Sequence, residues 1–363
     1  MGAILGLKYF VFPGLPEKIY VAVEGDGKIA VIDPVKQVIS KYIDLAVEHE
    51  GGELIFAPHN IQVAPDGKSV WVTANVVGHS GHSTGLIPRA QAHGEETGSA
   101  VGDPDEIIII DPFNDRIIKR VPIGLGVHLA HVVVNSSGTY AYFTAQNEGA
   151  IYKFNAQTYK IEKEIKAPEK SEPHGLRLSP DKAKAYIALL KGKGLGVLDL
   201  SSDELSIVPL RGSAVQTGIA PDGKYVVASL YDTKELAVYN VSTKEVKYIS
   251  LPGSAKGPIQ MYSDSSSRFV YMADQGYYYN QPEGDTVYKI DLIEMKVVKE
   301  IKGGRAPHGV VVSKDGARVY VTNLLGGDVS VINALTDSEL KRITVGREPN
   351  GVSIWYKDKG GTP

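Results

Sequence analysis

Pro307-His308-Gly309-Val310-Val311-Val312-Ser313-Lys314-Asp315-Gly316 opens the passage that decides the fold. It continues through Arg318-Val319-Tyr320-Val321-Thr322-Asn323 and Asp328-Val329-Ser330-Val331-Ile332-Asn333, and ends on Glu339-Leu340-Lys341-Arg342-Ile343-Thr344-Val345-Gly346. These are four short runs rich in β-branched residues, separated by Gly, Asp and Asn. They read as four antiparallel strands joined by tight turns. The cassette recurs at Pro58-His59 with Pro65-Asp66-Gly67 as its first turn, at His131 with Ser136-Ser137-Gly138, and at Pro173-His174 with Ser179-Pro180-Asp181. It returns at Gln216 with Pro221-Asp222-Gly223, at Gln260 with Ser263-Asp264-Ser265, and at Pro349-Asn350. The anchors lie 72, 43, 42, 44, 48 and 42 residues apart, a period that marks one supersecondary unit stacked on the next.

The chain opens with Ile19–Val23, Lys28–Asp33 and Val38–Tyr42, which are the second, third and fourth strands of a unit without its first. The missing strand, Gly351–Trp355, stands at the other end of the sequence. Joining the two removes the edges that an open ring would expose. The expectation is therefore an all-β chain: one domain over residues 1–363, a closed seven-bladed β-propeller whose C-terminal strand completes the N-terminal blade. The two long intervals both place their extra residues between the second and third strands. The first is a Gly- and Ser-rich insertion at about 76–104 that shows no strand pattern and carries His79, His82 and His93; the second contains Tyr277, Tyr278 and Tyr279.

The run Val319-Tyr320-Val321-Thr322-Asn323, with Pro-His-Gly before it and Val-Ser-Val-Ile-Asn after it, resembles the YVTN-repeat β-propeller family. Partial copies stand at Val70-Trp71-Val72-Thr73-Ala74-Asn75 and Tyr140-Ala141-Tyr142-Phe143-Thr144. The resemblance spans nearly the whole chain and implies the seven-bladed fold. It implies little about activity, since that family includes surface-layer and export-associated proteins, and related propellers include lactonases, haem-binding reductases and copper enzymes.

Composition removes several classes of function. With 39 Lys plus Arg against 42 Asp plus Glu, the totals imply no basic face for nucleic acid. Zero cysteines exclude disulfide scaffolds, thiolate zinc sites, iron–sulfur clusters, thiol nucleophiles and covalent c-type haem attachment. No run of 18 apolar residues occurs, so no transmembrane helix is expected. There is no Gly-x-Ser-x-Gly elbow, Walker loop or His-Glu-x-x-His, and two Trp are too few for a quinone-dependent propeller.

The nine histidines are unevenly placed on the repeat. His59, His131, His174 and His308 stand at the entrance to strand one in four blades; Gln216, Gln260 and Asn350 hold that position in the other three. His49 and His128 lie in connections leading into strand one, and the remaining three lie in the long insertion. All nine thus belong to one face of the disc. The expectation is a channel-mouth ring of four imidazoles and three carboxamides, with the insertion and Tyr277–Tyr279 as a lid. Four converging imidazoles suit copper or zinc, and haem iron less well. The face carries scattered carboxylates at Glu148, Glu172, Asp232, Asp274 and Glu348, but the ring position itself has none, which argues against an acidic calcium centre. A ring of polar residues that merely satisfies strand ends in a water-filled channel is the structural alternative.

The ring is similar in arrangement to the catalytic propeller of nitrous oxide reductase, where histidines at one end of seven blades hold a copper cluster. Gln216, Gln260 and Asn350 depart from that pattern, and the cysteine-containing electron-transfer domain is lacking, so the resemblance implies a mononuclear site at most. The first functional reading is a metal-binding, copper- or haem-dependent redox propeller with His59, His131, His174 and His308 as ligands. The second is an exported or cell-surface binding module that takes a small ligand or protein on the same face. A lactonase or other hydrolase with His as general base lacks an evident partner group. Both main readings place the chain outside the cytoplasm, in the periplasm or on the cell surface, with its export signal absent from this sequence.

Overall fold

The computed structural model describes residues 17–49, 52–79, 102–278, 281–357 and 360–361. These form seven antiparallel sheets. The innermost strands are, in order, Gly52–Val63, Leu129–Val134, Pro173–Leu178, Ala214–Ile219, Pro258–Ser263, Pro307–Val312 and Pro349–Tyr356. Each touches the next, and the last touches the first, so the ring is closed. The seventh blade draws on both ends of the chain: Pro349–Tyr356 pairs with Lys18–Val23 in the register Ile19↔Ile354, Tyr20↔Ser353 and Val21↔Val352.

The core lies between blades. Each of the seven junctions has its own apolar cluster built from two neighbouring sheets; Ile19, Val21 and Ile354 of blade seven, for example, pack with Val311, Tyr320 and Val329 of blade six. Both faces of the middle strands are therefore buried, and for that reason Ile107–Ile110 reads as a continuous apolar run instead of an alternation. The outermost strands keep one wet face: Ser338–Thr344 buries only Ile343.

Every blade has a register break at the same place. Pro307 faces Asn323 and Val310 faces Val321, so His308 and Gly309 together oppose Thr322. The same break separates Pro173 from Leu176, Ala214 from Thr217, Pro258 from Met261 and Pro58 from Asn60. A β-bulge adds a residue to one strand and re-aims its side chain. Here the bulge falls on all seven ring positions.

In several blades a hydroxyl on strand two satisfies the bulge. Thr322 Oγ1 accepts the Gly309 N–H at 2.7 Å and donates to the Asn350 carbonyl of the next blade at 2.7 Å. Thr144 accepts from His131 at 3.0 Å and donates to the His174 carbonyl at 2.7 Å, and Thr73 likewise accepts from Asn60 and donates to the Ala130 carbonyl. In these three blades the strand-two threonine thus ties the bulged inner strand to the next one.

Two expectations need correction. The insertion after strand two of blade one begins later than residue 76, because Val76–His79 continue the strand Val70–His79 against Leu54, Ile55 and Phe56. The sequence lacks alternation there because the strand has become part of a ribbon, which the short strand Val47–His49 joins on its other side. The ring, moreover, is not solvent-filled: His59, His131, His174, His308 and Asn350 are each at most 1% exposed.

Candidate metal centre

The bulge at each strand entrance brings three of the four ring histidines together. The rings of His59, His131 and His174 have centroid separations of 5.1, 5.5 and 6.1 Å, and one ligand atom from each lies within 4.8 Å of the other two. An ion at their centre would sit about 2.8 Å or less from each nitrogen, against the roughly 2.0–2.1 Å of a zinc–imidazole bond. Sub-ångström inward movement of each ring closes the difference.

The surroundings of the three rings prepare them unequally. His174 Nδ1 lies 2.9 Å from the Val215 carbonyl, which fixes Nδ1 as the protonated nitrogen and leaves Nε2 to carry the lone pair. Gln216 Nε2 approaches His131 Nε2 at 3.4 Å, and His131 Nδ1 is buried with no hydrogen-bond partner among the described residues. Burial, then the neighbouring imidazoles, push the His131 pKa well below the ordinary value; burial and His59 do the same for His174. Both are neutral at pH 7, the form that binds a metal.

The carboxylate that the ring positions lack is supplied from elsewhere. Glu24, in the one-turn 3-10 segment Glu24–Asp26 of blade seven, is 6% exposed. It accepts a 2.7 Å hydrogen bond from Asn350 Nδ2, and its Oε1 lies 3.6 Å from His59 Nδ1. Asn350 Nδ2 is also 3.1 Å from that same His59 nitrogen. Burial raises the Glu24 pKa, but the contacts with His59 and Asn350 outweigh it, so the carboxyl sits below its usual range and is ionised. The turn is anchored because the Glu24 and Gly25 amides donate to the carbonyls of Glu348 and Arg347, each at 3.1 Å. His128 brings a further, half-buried imidazole to the group, 5.9 Å from His59 between centroids; loss of solvent around its ring brings its pKa down to about 4. Asp105 accepts its backbone N–H at 2.9 Å and so places it there.

The remaining predicted residues fall elsewhere. His308 is turned onto Gln275, with Nδ1 2.8 Å from Oε1, and its ring meets Tyr278 edge-on at 6.5 Å, outside the three-histidine group. Gln260 is buried, its amide nitrogen without a partner among the described residues. Tyr278 is buried in an apolar plug with Leu190, Tyr231 and Leu324, while Tyr277 packs at its edge. The mouth therefore has a histidine half over blades seven to three and an apolar half over blades three to six. His79 ends its strand, and His82, His93 and Tyr279 lie outside the described residues. Of the scattered carboxylates, Asp232 accepts from the Ser213 amide, Asp274 from the Gly257 amide and Glu172 pairs with Lys191, so they serve loop structure.

The family model of the YNCE-like beta-propellers matches residues 147–361. The chain belongs to that family. No curated protein matches its sequence. Among solved structures, this YNCE-like propeller is similar to virginiamycin B lyase from Staphylococcus aureus, with a TM-score of 0.63 and 13% identity over 86% of this chain and 94% of that one. Hydrazine synthase from Kuenenia stuttgartiensis gives a TM-score of 0.64 and 16% identity over 84% and 94% of the two chains. A streptogramin B lyase gives 0.62 and 15% over 84% and 92%. At such identities the likeness shows the fold alone.

Proposed function

We propose that this propeller binds one transition-metal ion, copper or zinc, through His59, His131 and His174, with Glu24 orienting His59 from behind. The observation that carries the reading is the buried imidazole trio: three rings from three blades, their ligand atoms within 4.8 Å of one another, one of them with a ring nitrogen that no described residue satisfies. A structural polar ring would pair such a nitrogen, because leaving a buried donor or acceptor unmade costs about 1–3 kcal/mol. A carboxylate behind a ligating histidine is the usual device for fixing ring orientation and raising its basicity. Imidazole donors suit both copper and zinc, and rings this close leave no room for a porphyrin among them. Three protein ligands leave a coordination position for a further ligand, as in catalytic sites. The lyases and the hydrazine synthase share this fold under titles naming different chemistries, so the fold does not choose the reaction.

The test is elemental analysis of protein stripped with EDTA, loaded with Zn²⁺ or Cu²⁺ and desalted. One ion per chain is expected, falling to background in His131→Ala and His174→Ala with their β-sheet circular dichroism intact. Absence of any bound ion, or stoichiometric binding that survives both substitutions, overturns the reading.

A further inference from the structure

We propose that a cleft on the same face, between blades three and four, binds a small organic anion with a flat apolar body. This goes beyond the metal reading and does not depend on it. The cleft has a volume of about 400 Å³, in the range of small-molecule sites. Its floor is Leu190 and Tyr231, both nearly fully buried and both part of the apolar plug. The Tyr231 hydroxyl donates to the Tyr278 carbonyl at 2.6 Å, so what this residue offers a ligand is its ring. An apolar floor of one aliphatic and one aromatic side chain selects a planar hydrocarbon or aromatic body.

The rim selects charge. Lys191 is engaged by Glu172 at 2.5 Å, and Asp232 is engaged by Lys193 at 3.7 Å and by the Ser213 amide at 2.7 Å. Lys234 lines the cleft and, among the described residues, makes no direct ion pair; the acid it faces electrostatically is the buried Asp274, whose carboxylate already accepts the Lys256 and Gly257 amides. The rim thus presents one cation without a direct ion-pair partner, with the amide of Gln281 as a neutral hydrogen-bonding group. A single anionic group on an apolar body complements that pattern. The cleft is also adjacent to the metal centre: Leu190 and Tyr231 pack with Val215, whose carbonyl takes the His174 Nδ1–H. A ligand seated there lies one residue layer from His174.

The probe is 8-anilinonaphthalene-1-sulfonate, which joins two aromatic units to one sulfonate, titrated by fluorescence into the full-length folded protein. Saturable binding with a stoichiometry near one is expected. Lys234→Glu should weaken it by about tenfold or more, and Leu190→Trp, which fills the floor, should abolish it. Lys160→Glu, an exposed lysine on the outer strand of blade two, should leave it unchanged, and so should EDTA. Should Leu190→Trp fail to fold, Lys234→Glu decides alone. The proposal is overturned by absence of saturable binding, by binding that Lys234→Glu leaves intact, by an equal loss in Lys160→Glu, or by loss with EDTA, which would put the probe on the ion.

Discussion

A carboxylate buried among protein atoms ordinarily takes up a proton, yet burial at Glu24 is overcome by His59 and Asn350 and the group stays ionised. Its contacts connect the first and last blades of the ring, since Asn350 belongs to the closing strand and His59 to the blade after it. Glu24→Gln keeps an acceptor for Asn350 but removes the charge behind His59. The expected result is zinc affinity about 10–100-fold weaker by isothermal titration calorimetry, with one ion per chain still bound at saturation. Unchanged affinity would show that the carboxylate has no part in holding the ion. The histidines were legible in sequence because each occupies the same register of a repeat. Glu24 was not, because the corresponding turn position holds Asn75, Gln146, Leu190, Tyr231, Gln275 and Leu324 in the other blades, and no repeated residue type draws attention to it. Nor could sequence show that His308 turns to Gln275 instead of joining its three counterparts.

Strands and turns followed from the text of each blade, since β-branched runs bounded by Asp-Gly or Ser-Gly leave little choice. The bulge did not, because a two-for-one pairing leaves the alternation on either side looking regular. Pro-His-Gly hints at it in retrospect: a methyl group at Gly309 would overlap the Asn350 carbonyl where the next inner strand passes, and one at Gly175 would meet Gln216. The hydroxyl on strand two makes the bulge affordable. Thr322→Val keeps the shape but leaves the Gly309 N–H and the Asn350 carbonyl, both buried, without their partner. A loss of about 2 kcal/mol in urea unfolding is expected, with Thr322→Ser much closer to wild type. If the valine variant unfolds within about 0.5 kcal/mol of the parent, the scatter of a neutral surface substitution, the hydroxyl is not what stabilises the ring position.

At the scale of the molecule, closure was readable because each end of the chain carried the part of a blade that the other lacked. What could not be read was that closure presses seven strand entrances together until the ring residues lose solvent. That burial has a consequence for acid stability. The His128 pKa falls to about 4 and that of His308 to about 3, burial being the main cause in both, and His131 and His174 are lowered in the same direction. Unfolded histidine titrates near 6.5. Below that pH the unfolded chain binds protons that the folded one does not, so stability that is complete above about pH 6.5 is lost as pH falls toward the folded values. At pH 5 His128 and His308 each cost about 2 kcal/mol. Asp105 acts in the opposite sense: burial raises its pKa to about 6, so it takes up a proton more readily when folded and returns about 1 kcal/mol by pH 5. His128 and His308 together outweigh Asp105, and His131 and His174 act in the same direction, so a net loss of stability on acidification remains. The melting temperature of EDTA-treated protein should therefore fall steeply between pH 7 and pH 5 and recover on return to pH 7. His128→Gln should flatten that fall, because the glutamine cannot charge in either state. A melting temperature that holds constant across the interval would mean that the four imidazoles reach water in solution and that the ring is open, not sealed.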